Sequence, residues 1–253
     1  MTFHRAIAAA LGFLAAPLLT LPTQAAELKV FESNALKAVM DELAPQFEKA
    51  TENKLVMTVG TTAQLRAKID GGEAFDVAIF TKSALDDLAK QGKIATAPLA
   101  SVGRVGIGVA IKKGAPKPDI GTVEAFKQAM LGAASVGFVK NTPTAGNMKV
   151  VFEKLAIAEQ MAPKIKLLDV VVSEAVSKGQ VEMGLTQMTE IVPYAGSIID
   201  LAGPLPAEIQ TNTVFGAGLS AATNNHDAAA ALVNFLTSPP AAAVLKAKGM
   251  EPG

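Results

Sequence analysis

The sequence has no cysteine and no tryptophan, a single tyrosine, and no surplus of charge of either sign. Without cysteine there is no disulfide scaffold, no thiolate nucleophile and no Cys-ligated zinc or iron–sulfur site. With 23 Lys+Arg against 23 Asp+Glu, the chain lacks the cationic excess that neutralises phosphates, so nucleic acid is not an expected partner. One tyrosine and no tryptophan leave little for base stacking, even with 11 phenylalanines. Only two histidines are present, His4 and His226. His4 lies in the N-terminal leader segment, so a His-based triad could run only through His226, and multi-His metal sites are excluded. That residue follows Asn224-Asn225 at the start of a helical pattern, the place of a solvated or capping side chain. There is no Gly-x-Ser-x-Gly elbow and no phosphate loop ending in Gly-Lys-Ser/Thr. Gly103, Gly106 and Gly108 sit inside a strand pattern, with the spacing of the dinucleotide fingerprint reversed. No cofactor and no metal is expected.

Half of the residues are hydrophobic, but part of that excess is not fold. Residues 1–26 carry one formal cation, Arg5, and no acid. An apolar stretch from Ala6 to about Leu21 leads to Thr23-Gln24-Ala25. This is the order of a secretory leader, read as residues 1–25 with the cut after Ala25. The stretch is short for a membrane span and contains Pro17. Removing Arg5 leaves 22 basic against 23 acidic residues, a net charge of −1. The mature chain is expected to be exported to the periplasm, soluble and monomeric.

Beyond Ala26, strand and helix patterns alternate. Leu28 to Phe31 is a short apolar run. Leu36, Val39, Met40, Leu43 and Phe47 then mark one face of a helix. Leu55, Met57 and Val59 alternate as a strand does. Leu65 and Ile69 mark a helix closed by Gly71-Gly72, and Val77 to Phe80 is a buried strand. Val105 to Ile111, Ser135 to Val139, Leu167 to Val172, Met183 to Thr186 and Thr213 to Leu219 are extended, with helical stretches between most of them. Ala202-Gly203-Pro204-Leu205-Pro206 reads as turns. Two Ala-rich helices close the chain. The class is α/β, with mainly parallel sheets covered on both faces.

Four strand-to-helix junctions carry small polar residues: Glu32-Ser33-Asn34, Gly60-Thr61-Thr62, Lys140 to Gly146, and Thr186-Gln187-Met188-Thr189. In a parallel α/β sheet such junctions gather at the carboxyl edges of the strands, where ligands bind. Helix N-termini there offer unpaired N–H groups and a partial positive charge. Hydroxyls and amides beside them make a place for an oxyanion or a carboxylate. Each junction taken alone is better explained by N-capping, for which Ser, Thr and Asn are the favoured residues; the functional case rests on several of them converging.

The segments Val30-Phe31 through Gln46-Phe47, Thr61-Thr62-Ala63-Gln64-Leu65 and Gly71 to Ile79 resemble the periplasmic molybdate-binding proteins of ABC importers. Thr144-Ala145-Gly146, Glu182-Met183-Gly184-Leu185 and Leu236-Thr237-Ser238-Pro239 extend the resemblance over the whole mature chain. It implies a type II periplasmic binding fold, with two lobes joined by two crossing strands near Val105–Ile111 and Thr213–Leu219. Lobe I is then residues 26–106 with 215–253, and lobe II residues 107–214. The anion is expected in the interlobe cleft, with hinge closure over it and a partner permease beyond. Carried over by residue, the family's two serines fall on Ala35 and Thr62, a backbone N–H contact on Ala145, and a tyrosine on Gln187. Ala35 has no hydroxyl, and Gln187 replaces a phenol with an amide, so two donors to a bare oxyanion are altered. The candidate ligand-binding set is Ser33, Asn34, Ala35, Thr61, Thr62, Arg66, Thr144, Ala145 and Gln187.

Met188-Thr189-Glu190-Ile191-Val192-Pro193 and Gly203-Pro204-Leu205-Pro206 resemble a second branch of the family, the bacterial aconitate isomerases. That branch implies a cofactor-free allylic proton shift between trans- and cis-aconitate. It needs a base near an acidic C–H and donors for the carbanion-like state. Glu32 is the candidate base in that case, with Arg66 or Lys140 holding carboxylates.

Overall fold

The computed structural model describes residues 25–253, so the leader read above lies almost wholly outside the described residues. The first strand, β1 (Glu27–Ser33), enters a single 3₁₀ turn, Asn34–Leu36, and then α1 (Lys37–Thr51). Its buried residues Val39, Met40, Leu43 and Phe47 are the stripe that the sequence spacing marks. Next come β2 (Lys54–Gly60), α2 (Thr62–Asp70), β3 (Val77–Thr81), α3 (Lys82–Lys90) and the long β4 (Ile94–Val105).

One residue, Gly106, separates β4 from β5 (Ile107–Lys112). The elements α4 (Val123–Gly132), β6 (Val136–Val139), α5 (Pro143–Lys154), α6 (Ala158–Met161), β7 (Ile165–Leu168), α7 (Val172–Ser177) and β8 (Met183–Gln187) follow. Two 3₁₀ turns, Met188–Glu190 and Val192–Tyr194, lead to β9 (Ile199–Pro204). The chain then returns through β10 (Thr213–Ser220), α8 (His226–Phe235), α9 (Pro239–Ala247) and β11 (Glu251–Pro252). His226 opens α8 on the surface.

The strands form two sheets, ordered β11-β4-β10-β3-β1-β2 and β7-β6-β8-β5-β9. Both are mixed rather than mainly parallel. The pairs β1–β2, β1–β3, β6–β7 and β6–β8 are parallel, whereas β10 runs antiparallel to β3 and β4, and β5 to β8 and β9. The antiparallel pairs come from the strands next to the chain crossings, which must run back toward the other lobe. The stretch read as turns at 202–206 is in part β9, an edge strand beside β5. An edge position is where a strand tolerates a proline such as Pro204.

Each sheet buries both faces. Leu28, Val30 and Val77 pack with α1, α8 and α9 on one side of the first sheet, while Phe31, Ala78 and Phe80 pack with α2 and α3 on the other. The second sheet does the same, with Phe126 and Phe152 on one face and Ala175 and Val176 on the other. At Gly184 a Cβ would lie 2.2 Å from Val172 Cγ1, so glycine lets α7 sit directly on β8. At the crossing, Gln210 accepts from the Ile107 N–H at 2.8 Å and donates to the Ile107 carbonyl at 2.9 Å. This amide ties the returning chain to the outgoing one beside Gly106.

Candidate functional site

A narrow cavity of about 40 Å³ lies between the two sheets. From the first lobe it is bordered by Ser33, Asn34 and Ala35 after β1, Thr61 and Thr62 after β2, Thr81 at the end of β3, and Phe215 on β10. The second lobe contributes Val139, Asn141, Thr142, Pro143 and Thr144 between β6 and α5, with Thr186, Gln187 and Glu190 at the end of β8. All four polar junctions therefore meet at one place.

Two of the junctions are capped. Thr61 and Gln64 form a reciprocal capping box at the start of α2, with the Gln64 N–H donating to Thr61 Oγ1 at 3.2 Å and the Thr61 N–H to Gln64 Oε1 at 2.9 Å. Thr142 caps α5, accepting from the Ala145 N–H at 3.3 Å, and Pro143 opens the helix. Asn141 just before it adopts φ 57°, a left-handed conformation that asparagine tolerates. Thr61 and Thr142 thus serve their own helices. The neighbouring Thr62 and Thr144 border the cavity from opposite lobes, beside the N-termini of α2 and α5. Pro143 has no N–H and the Ala145 N–H is held by Thr142, so the Thr144 N–H is the first that α5 leaves free of its cap. Helix N-termini beside a cavity make it attractive to negative charge.

The other two junctions are not capped. Neither Ser33 nor Gln187 makes a side-chain cap to the 3₁₀ turn that follows it. The two turns, 34–36 and 188–190, pack against each other. Polar groups buried around them are left without partners: Glu32 Oε1, Gln187 Oε1 and Thr189 Oγ1. Glu32, 2% exposed, has its carboxyl pushed up to about 8 by burial, with nearby Asp41 adding to the rise and Lys37 opposing it. Burial also raises Glu190, against a hydrogen bond from Thr186 Oγ1 at 2.6 Å and a bond from the Gln187 backbone. Glu190 is the only ionisable side chain among the residues bordering the cavity; no Lys or Arg does so.

Of the residues named from sequence, Ser33, Asn34, Ala35, Thr61, Thr62, Thr144 and Gln187 border the cavity. Ala145 lies one step behind Thr144, with its N–H turned to Thr142. Arg66 extends along the outside of α2 to Asp87 at 3.5 Å. Lys140 pairs with Asp169 beside a neighbouring recess. Glu32 lies next to the cavity but not on its wall. Thr81, Phe215 and Glu190 border it without having been singled out. Glu190 had one sequence signal, its place four residues after Thr186 on a polar junction. Among the described residues, no group of three or more His, Asp or Glu could hold a metal ion.

A family model for bacterial extracellular solute-binding proteins matches residues 28–251. The chain belongs to that family. As a solute-binding protein it is 30% identical to an aconitate isomerase from a Pseudomonas species, over 89% of this chain and 87% of the relative. It is 29% identical to the molybdate-binding protein ModA of Azotobacter vinelandii, over 93% of this chain and 94% of that protein. Among solved structures, the periplasmic molybdate-binding protein of Azotobacter vinelandii superposes with a TM-score of 0.76 at 19% identity, covering 89% of this chain and 99% of the other. The two-lobe type II binding fold and membership in a family of bacterial extracellular solute-binding proteins follow from these matches, and the Azotobacter structure is that of a periplasmic protein.

Proposed function

We propose that this protein holds a small carboxylate anion in the interlobe cavity as a periplasmic receptor for an ABC importer. The observation that carries the proposal is the convergence of the α2 and α5 N-termini, one from each lobe, on a cavity lined by hydroxyls and amides. Neutral donors at helix ends bind an anion without an opposing buried cation. Carboxylate is favoured over a metal oxyanion by two residues: Ala35 supplies no hydroxyl and Gln187 supplies an amide. Glu190, raised by burial, can donate from its protonated form to either anion, so the preference for carboxylate comes from Ala35 and Gln187.

In this reading the ligand contacts come from Ser33, Asn34, Ala35, Thr62, Thr144 and Gln187, while Thr61 and the Ala145 N–H, both named from the sequence, are held in the caps of α2 and α5. The lobes are residues 26–106 with 215–253, and 107–214. The leader is removed near Ala25, and the receptor works as a monomer that presents its ligand to a permease.

The raised Glu190 favours a second reading, an aconitate isomerase. A buried carboxylate of raised pKa is a stronger base once ionised. Glu190 would take a proton from the CH₂ carbon of trans-aconitate. The double bond then shifts through an allylic carbanion, and the proton returns to the former vinyl carbon. Atoms and charge balance without a cofactor. Glu32 remains a candidate for the same role, one layer further from the cavity.

The test is the melting temperature of residues 26–253 with citrate, cis-aconitate, trans-aconitate, molybdate, tungstate and sulfate. A ligand at a hundred times its Kd adds about 2.7 kcal/mol, a rise of about 5–10 °C for a chain of this size. The tricarboxylates are expected to give it. A rise with molybdate or tungstate alone would overturn the carboxylate assignment, and no rise with any of them would overturn anion binding in the cleft. Substoichiometric protein that brings trans- and cis-aconitate to equilibrium establishes the second reading; unchanged aconitate removes it.

A further inference from the structure

A second cavity, of about 290 Å³, adjoins the first and shares Asn34 and Glu190 with it. Its remaining polar wall is Lys37 at the start of α1, Ser173 on α7, Thr189 on the 3₁₀ turn after β8, and Tyr194. Resting on the carboxylate reading above, we propose that this cavity is a subsite for a second carboxylate. The ligand is therefore a di- or tricarboxylate that reaches from the helix ends to Lys37.

Three observations bear on it. Thr189 is 2% exposed, and its Oγ1 has no hydrogen-bond partner. A buried hydroxyl left unpaired is costly, and a ligand oxygen at this wall satisfies it. Lys37 is the one cation bordering either cavity. It bonds Asp41 at 2.7 and 2.9 Å, yet its side chain stays half exposed, and an ammonium has three donors to distribute. Glu32 and Glu190, the other acids near it, are both raised by burial, and Asp41 is the carboxylate bonded to the lysine. Tyr194, the only tyrosine of the chain, adds a phenol. The first cavity offers neutral donors only, which suits one carboxylate. The second adds a cation, which suits the further charge of a polycarboxylate.

The experiment measures Kd by calorimetry for trans-aconitate, citrate and molybdate with wild type, Lys37→Met, Tyr194→Phe and Thr62→Val. Lys37→Met is expected to weaken trans-aconitate and citrate about tenfold, Tyr194→Phe to weaken them less, and neither to change molybdate, which is too short to reach Lys37. Lys37→Arg is expected to restore most of the loss. Tricarboxylate binding that is weakened by Thr62→Val but indifferent to Lys37→Met and Tyr194→Phe overturns the subsite and leaves the carboxylate receptor standing. Failure of wild type to bind either tricarboxylate overturns both. Unliganded melting temperatures within a few degrees of wild type show that the variants are folded.

Discussion

The two capped junctions and the two uncapped ones meet at the same cavity but spend their polar groups differently. After β2 and β6, a threonine is consumed by the helix that follows it, and the next hydroxyl and the helix N–H groups are what remain for a ligand. After β1 and β8, no side chain caps the turn, and the buried groups Glu32, Gln187 and Thr189 each keep an unpaired oxygen. The first pair has its capping threonines bonded within their own helices. The second holds unpaired polar atoms and two carboxyls of raised pKa, the features associated with proton exchange and with ligand contacts not yet made. Both pairs border the proposed ligand cavity; isomerase chemistry would in addition need a base from the second pair.

The largest effect expected separates Glu32 from the solvated carboxylates. Its folded pKa, about 8, lies above the ordinary 4.5, so the folded chain keeps a proton that the unfolded chain gives up. Its contribution is fully present below about pH 4.5, declines as pH rises toward about 8, and is flat beyond. A shift of this size corresponds to on the order of 5 kcal/mol. Glu190, also raised, acts in the same direction. Denaturant unfolding from pH 5 to 9 should show wild type losing stability and Glu32→Gln losing much less. A Glu32→Gln profile parallel to wild type would mean that the carboxyl is hydrated in solution.

Glu190→Gln probes the same pair of junctions through the ligand. Anion binding favours a protonated Glu190, so affinity for citrate should fall as pH rises through its raised pKa, by up to about tenfold per pH unit. In Glu190→Gln that decline should disappear. If the protein isomerises aconitate through Glu190, the same change should lower turnover by roughly 10²- to 10⁴-fold, whereas Glu32→Gln leaves the pH optimum in place. Loss of activity in Glu32→Gln alone would return the proton transfer to β1.

The capped junctions were legible in the sequence and the uncapped ones only in part. Thr61-Thr62 and Thr142-Pro143-Thr144 announce themselves because capping residues, a proline at N1 and a helical period occur together within a few residues. Glu190 gives almost no local signal. A charged residue defaults to solvent, and its burial arises because the 188–190 turn packs on the 34–36 turn from the far end of the sequence. Arg66 shows the converse. Its charge suggested an anion contact, but the angular spacing along α2 turns it away from the cavity toward Asp87. The alternation of strands and helices was readable from period alone. The mixed sheet order was not, because pairing direction depends on where the chain changes lobe.

The smallest expected effect tests whether cap and ligand roles separate within a single dipeptide. Thr61 accepts from the Gln64 N–H and completes the capping box, so Thr61→Ala should cost about 1 kcal/mol of stability. Its effect on ligand affinity should be small, because its hydroxyl is held in the capping box. Thr62→Val keeps the shape, removes a hydroxyl outside the cap, and should leave unliganded stability nearly unchanged while weakening citrate severalfold. Both are read by unliganded melting temperature and by calorimetry. Equal loss of affinity in the two variants would mean that the helix end as a whole, rather than the Thr62 hydroxyl, positions the anion.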